Sequence, residues 1–233
     1  VAAGFSSLCS VCCTPALAAE GDLEKALGFT PFQSNVAYDQ PTAAEIENCK
    51  LSAISGKELS GWAITNQQGQ TLRRFVDTNG DKNLDQWCYY KNGVEIYRDI
   101  DGDFDGKPDQ YRWLGTAGTR WGIDANEDGI IEAWKQISAE EVTAEVVSAI
   151  QDQDAARFEA VLLSKEQVAQ IGVSESQATQ MKTRIKHAAE DFAEVSKRQT
   201  KLSKSAKWIY FGGTRPSVIP AGTMGSTKDL YIY

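Results

Sequence analysis

The sequence holds a single histidine, His187, with no visible catalytic partner beside it. A general base works only within hydrogen-bond reach of other groups, so histidine-based catalysis finds no footing. A phosphate-binding Walker loop, a nucleophile elbow and an HExxH zinc motif are all absent. Basic residues are in deficit: 24 Lys and Arg against 32 Asp and Glu give a formal net charge of −8. That balance argues against nucleic acid, whose phosphates need clustered cations, and suits a cation-binding surface. Beyond residue 19 no apolar run is long enough for a transmembrane helix. Neither Cys49 nor Cys88 has a CxxC or a histidine near it, which weakens any thiolate metal site.

The 233 residues suffice for one or two modest domains, and 42% apolar content suffices for a packed core. Residues 1–18 read as the remnant of a signal peptide. An apolar and small-residue run, Val1 to Cys13, precedes Pro15 and the small-x-small site Ala16-Leu17-Ala18. The missing initiator Met and the strand-like end at Tyr233 read as a longer natural precursor. The expected location is secreted, periplasmic or in the cell envelope. Cleavage there leaves two cysteines in an oxidising compartment, which predicts a Cys49–Cys88 disulfide; a pair of unlinked, half-buried thiols is the alternative.

Residues 19–60 read as a lead-in, with a short helix over Asp22 to Leu27 stopped by Gly28. Residues 61–137 contain an internal repeat. Asp77-Thr-Asn79-Gly-Asp81-Lys-Asn83-Leu-Asp85-Gln-Trp87 is followed by Asp101-Gly-Asp103-Phe-Asp105-Gly106-Lys-Pro-Asp109-Gln-Tyr111. The third copy is Asp124-Ala-Asn126-Glu-Asp128-Gly129-Ile-Ile-Glu132-Ala-Trp134. Between the acidic clusters lie strand-like runs broken by turn signals such as Asn92-Gly93. The unit is strand, turn, strand, acidic loop, which predicts an antiparallel meander with all acidic loops at one end.

Residues 138–205 switch to a helical period, with Ser138/Glu141, Ser164/Gln167 and Ser174/Gln177 as N-terminal capping patterns. On the longest helix, Ala178, Met181, Ile185, Ala188, Phe192 and Val195 recur at steps of three and four. That pattern fits either an amphipathic helix on its own core or a seam for self-association through helix 175–203. Residues 206–233 return to a short β segment. The expected class is therefore α+β: a β-hairpin repeat meander with acidic loops, then helices, then a short β piece.

Calcium takes six to eight oxygens, mostly from carboxylates, carbonyls and waters. Oxygen-bearing residues at loop positions one, three, five and nine, with Gly at six, can wrap such an ion. The candidate ligands are Asp77, Asn79, Asp81 and Asp85; Asp101, Asp103, Asp105 and Asp109; and Asp124, Asn126, Asp128 and Glu132. The alternative is that Asp, Asn and Gly here simply make solvated turns. The first loop carries Lys82 where Gly belongs and is the weakest of the three. The aromatics at position eleven (Trp87, Tyr111, Trp134) read as core, and a stacked ladder of them would anchor the loops.

The D-x-[DN]-x-D-G-x-x-[DE] pattern resembles the calcium loops of EF-hands, dockerins, thrombospondin type 3 repeats and FG-GAP propeller blades. It departs from the EF-hand at position twelve, where Cys88, Arg112 and Lys135 replace Glu, and in its strand-like flanks. The repeat also resembles that of exported bacterial proteins with Asp-rich DxNxDGxxDxW β-hairpin repeats. The resemblance implies a calcium ligand and a β-hairpin fold, but no activity. Two functions follow as expectations. One is a calcium-binding structural or adhesive module without catalysis of its own, with an envelope protein or anionic polysaccharide as partner. The other is an accessory region of a larger secreted enzyme, such as one acting on polysaccharide, whose catalytic part lies outside this fragment.

Overall fold

The computed structural model describes residues 20–34, 36–56, 59–115, 119–213, 217–223 and 225–232; the segment read as a signal peptide lies outside them. Helix α1 (Glu20–Leu27) is followed by α2 (Ala43–Ile46) and eight strands. These are β1 (Lys50–Ser55), β2 (Ser60–Thr65), β3 (Thr71–Asp77), β4 (Gln86–Lys91), β5 (Val94–Ile100), β6 (Gln110–Leu114), β7 (Thr119–Ile123) and β8 (Ala133–Ile137). They form one antiparallel sheet in strict sequence order. Four helices follow: α3 (Ala139–Asp152), α4 (Ala155–Ala160), α5 (Lys165–Ile171) and α6 (Glu175–Arg198). A two-stranded sheet of β9 (Ser217–Ile219) and β10 (Leu230–Ile232) comes last. The class is mixed α+β, and no described helix is long and apolar enough to cross a membrane.

Local chemistry explains most of these elements. The β4–β5 hairpin turns on Asn92 and Gly93, both at positive φ (52° and 76°), as a two-residue hairpin turn requires. The Ser138 hydroxyl accepts from the Glu141 N–H, and Ser164 and Ser174 complete capping boxes with Gln167 and Gln177. Helix α5 ends at Gly172 in the left-handed region. The sheet starts earlier than the repeat pattern indicates: β1 lies within the span read as lead-in and pairs with β2 from Lys50↔Thr65 to Ser55↔Ser60.

Cross-strand register fixes what each face presents, because side chains alternate along a strand. On the inner face one row runs Arg73, Tyr89, Tyr97, Trp113, Arg120. The next runs Phe75, Trp87, Asp99, Tyr111, Gly122, Trp134. Residues 29–34 and 36–39 lie across this face as a strap. Phe29 meets Phe75 at 5.3 Å, Phe32 stacks on Tyr111 at 5.6 Å and Tyr38 meets Tyr89 edge-on at 5.3 Å. Arg73 is 1% exposed beneath it. Its guanidinium lies 4.3 Å over Tyr38 and donates to the Asp39 carbonyl at 2.8 Å. Gly122 leaves room for Ile131, which folds back onto the sheet: a Cβ there would sit 2.7 Å from Cδ1 of Ile131, and that side chain would have to shift.

The position-eleven aromatics are core, with Tyr111 and Trp134 buried, but they do not stack on one another. Asp99 stands between Trp87 and Tyr111, and Gly122 between Tyr111 and Trp134. The continuous aromatic ladder runs instead through Tyr38, Tyr89, Tyr97, Trp113 and Trp134.

The expected disulfide is not formed, and both cysteines are free thiols. Cys49 packs with Ile64, Leu72 and Phe75. Cys88 alternates with the inner-face residues Trp87 and Tyr89, and its cross-strand partners are Arg74 and Arg98 on the opposite face. The sheet itself separates the two sulfurs. Burial, reinforced by Glu95, pushes the Cys88 thiol up to about 12.

The helices join the sheet through Glu145 of α3. Its carboxylate, 4% exposed, accepts from Arg120 of β7 and from Arg157 of α4, the latter at 2.6 Å. Helix α6 packs on α4 and α5, with Phe158 stacked on Phe192 at 4.3 Å. Its C-terminal buried line passes through Phe192 and Ser196, while Val195 is 60% exposed. The expected seam therefore rotates off Val195.

Candidate metal centre

The three acidic segments are the β3–β4, β5–β6 and β7–β8 connections, so all three lie at one end of the sheet. Each adopts the same backbone. Positions four and six are left-handed in every loop: Gly80 and Lys82, Phe104 and Gly106, Glu127 and Gly129. Lys82 thus takes a φ of 74° that a glycine would hold without strain.

A shared hydrogen-bond scheme imposes this shape. The position-one carboxylate accepts the position-six N–H: Lys82 to Asp77 at 3.0 Å, Gly106 to Asp101 at 2.8 Å, Gly129 to Asp124 at 2.8 Å. The position-nine carboxylate accepts the position-two N–H: Thr78 to Asp85 at 2.6 Å, Gly102 to Asp109 at 2.7 Å, Ala125 to Glu132 at 2.9 Å. The position-five carboxylate accepts the position-seven N–H: Asn83 to Asp81, Lys107 to Asp105, Ile130 to Asp128. Asn79 and Asn126 at position three accept the position-five N–H. These are Asx-turn bonds, made in series so that the side-chain oxygens turn inward.

The loops are also chained to one another. The Asp101 N–H donates to the Asp85 carbonyl at 2.8 Å, and the Asp124 N–H to the Asp109 carbonyl at 2.8 Å. Lys107 of the second loop pairs with Glu127 of the third at 2.7 Å. The Tyr111 hydroxyl reaches from the core to the Asp124 carboxylate at 2.8 Å.

Burial divides the ligand set. The position-one residues Asp77, Asp101 and Asp124 are buried, as is Asp85. Asp81, Asp103, Asp105, Asp128, Asn79, Asn126 and Glu132 are exposed, and Asp109 is half-buried. Burial by itself raises Asp77, but N–H donors from Gly80 and Lys82 and the Ser60 hydroxyl more than offset it, and its carboxyl ends below its ordinary range. At Asp101 burial wins over the donors from Gly106, Phe104 and Asp105, and the carboxyl ends above its ordinary range.

Ligand atoms converge in two of the three loops. One oxygen each from Asp101, Asp103 and Asp105 lie within 4.8 Å of one another, as do those of Asp124, Asp128 and Glu132. Asp109 stays outside the second cluster and is spent on Gly102. In the third loop Asn126 lies beside the cluster and bonds Asp128. Asp77, Asp81 and Asp85 form no such group among the described residues. The donor set is all oxygen, which fits a hard cation such as calcium and disfavours zinc or copper. Position twelve supplies no ligand: Cys88 and Arg112 stand in strands on the outer face. A bound ion would complete its shell with backbone carbonyls and water.

Two groups escaped sequence reasoning. Asp99 lies in the middle of the inner aromatic face, 2% exposed. It accepts from the Tyr97 hydroxyl at 2.5 Å and from the Phe32 N–H of the strap at 3.1 Å. Burial pushes its carboxyl up to about 7. The alternation of β5 places it opposite Tyr111, but nothing local reveals the strap that covers it. The second is the row of arginines on the outer face, treated below. His187 is exposed near Glu190, as expected for a solvated residue. Comparison with protein-family models, with curated proteins and with solved structures finds no match to this chain.

Proposed function

We propose that this chain is a calcium-stabilised structural or adhesive module of an exported protein, with no catalysis of its own. One observation carries the reading. Three loops of different sequence share one backbone and one hydrogen-bond scheme, and two of them gather three carboxylates within 4.8 Å. Solvated turns need neither the common scheme nor the convergence, since a single Asx bond already makes a turn. Converging carboxylates repel when no cation is present, so folding stores a charge strain that calcium relieves.

The module function follows from where the loops sit. They bond side by side through Asp85–Asp101 and Asp109–Asp124, so an ion in one loop stiffens its neighbour and the whole end of the sheet. A binding free energy of this kind is folding free energy: about 2.7 kcal/mol per site at a hundredfold excess over the dissociation constant. Calcium-rich surroundings outside the cytoplasm are where such a device works, in keeping with the export signal read in residues 1–18.

Isothermal titration tests the proposal directly. The chain should bind two equivalents of calcium, in the second and third loops, and Asp103→Ala with Asp128→Ala should abolish both. A flat titration, or binding that survives the double substitution, would remove calcium from the account.

A further inference from the structure

The outer face of the sheet carries a second feature, independent of the loops. Register puts Arg74, Cys88, Arg98, Arg112 and Trp121 in one row across β3 to β7. Lys135 of β8 extends it, with its ammonium 3.8 Å from the Trp121 ring, and the Arg112 guanidinium lies 4.6 Å over the same ring. The row therefore presents four cations on one face of a chain whose net charge is −8. Of these, Arg98 is tied to Glu95 at 2.6 Å. Arg74, Arg112 and Lys135 make no ion pair among the described residues. The strap lies on the inner face, and so do the contacts of Arg120 with α3.

We propose that this outer row is a docking surface for a carboxylate-bearing polysaccharide. Charge complementarity comes first: guanidiniums held in register, unpaired and planar, match carboxylates in bidentate geometry. Shape comes second. Adjacent strands lie about 4.8 Å apart, so the cations form a line crossing the strands. That suits an extended polymer with a charge on each repeat. Chemistry of the surround comes third. Gln86 and Gln110 flank the arginines at the neighbouring register positions; the Gln86 amide oxygen accepts from Arg98 and that of Gln110 from the Trp121 indole N–H, so the amides hold the row in place and leave its cations to meet the polymer. Among the described residues, the large aromatic of the row, Trp121, is half-buried beneath Arg112 and Lys135, whereas protein partners bind through aromatic and aliphatic anchors.

Retention on immobilised hyaluronate, a carboxylated glycan, tests this in low salt with calcium present. The native chain should be retained and released by salt, and it should pass through neutral dextran. Arg74→Glu with Arg112→Glu should weaken retention by about tenfold or more, as lost cation contacts do for other polyanions. Arg74→Gln with Arg112→Gln, a milder change checked for an unaltered melting temperature, should show the same direction. Lys182→Glu with Lys186→Glu on α6 should leave retention intact. Retention unchanged by the arginine substitutions, equal retention on dextran, or tighter binding to poly-glutamate or single-stranded DNA would overturn the proposal. Repeating the native run in chelator separates this surface from the calcium reading. Retention there, with circular dichroism unchanged, places the anion site apart from the loops. If the calcium titration fails while retention persists, only the calcium reading falls.

Discussion

The first acidic loop and its two successors share a backbone but not a chemistry, and the contrast separates what shapes a loop from what binds in it. All three have left-handed residues at positions four and six and the same carboxylate-to-amide bonds. Yet only the second and third bring three carboxylates together. In the first loop Asp85 is buried and bonded to both the N–H and the hydroxyl of Thr78, and Asp77 is bonded to Ser60. Hydrogen bonding to the chain's own backbone is enough to set the fold of the loop. Convergence of carboxylates is a separate property, and it is the one that should respond to calcium.

The largest effect should come from the residues that shape rather than bind. Asp124 is fully buried and accepts from the N–H groups of Asp128 and Gly129 and from Tyr111. Asp124→Ala leaves the Gly129 N–H without a partner and reduces the Asp128 N–H and the Tyr111 hydroxyl to their bonds with Asn126 and the Pro108 carbonyl; it should cost about 3 kcal/mol, in chelator as well as in calcium. A loss seen only in calcium would mean that Asp124 is chiefly a ligand.

Next come the exposed central carboxylates. Asp105→Ala and Asp128→Ala should each remove much of the calcium-dependent stability of one loop, up to about 2–3 kcal/mol, and change little in chelator. Asp81→Ala should do neither. Chemical denaturation in the two buffers gives all three numbers, and an Asp81 variant that behaves like the other two would erase the distinction between the loops.

Smaller still is the backbone comparison at position six. A Cβ on Gly106 would meet nothing within 4 Å, so Gly106→Ala isolates the cost of a left-handed residue, about 1 kcal/mol. Lys82→Gly should run the opposite way and stabilise by about 0.5–1 kcal/mol. If Lys82→Gly also enabled calcium binding in the first loop, loop shape rather than ligand convergence would be the limiting factor.

The smallest expected signal is a difference in pH response, read in chelator by amide exchange at Gly80 and Gly106. The folded Asp77 carboxyl sits below its unfolded value of about 3.9. Its contribution is present above that value and is lost as pH falls through the folded one. The folded Asp101 carboxyl sits above the unfolded value, so its contribution is complete below about 3.9 and is lost as pH rises through the folded one. Mild acidification should therefore strengthen protection of Gly106 before it weakens that of Gly80. The same direction in both loops would contradict the assignment.

What the sequence made legible follows the range of the interactions. The caps at Ser138, Ser164 and Ser174 were readable because each partner lies three residues away. The loops were readable because their bonds span two to seven residues. The strap was not, since Phe32 finds Asp99 across 67 residues and Arg73 finds Asp39 across 34. The cysteine pairing failed for a different reason. The run Trp87-Cys88-Tyr89-Tyr90 is apolar throughout, so its composition does not reveal which alternate residues face inward. Only the register with β3 and β5 puts Cys88 on the outer face. The arginine row escaped for the same reason, being dispersed along the chain and gathered only by cross-strand pairing.

The central claim is that calcium holds the loop end of the sheet together. Thermal melting of the chain in millimolar calcium against chelator tests it most directly, with magnesium as a third condition. The account predicts a clear rise in melting temperature with calcium and a smaller one with magnesium, which demands a tighter octahedron. Protease resistance should rise in parallel across residues 77–134. Superimposable melting curves in calcium and chelator would mean that the three loops are hydrogen-bonded turns and nothing more.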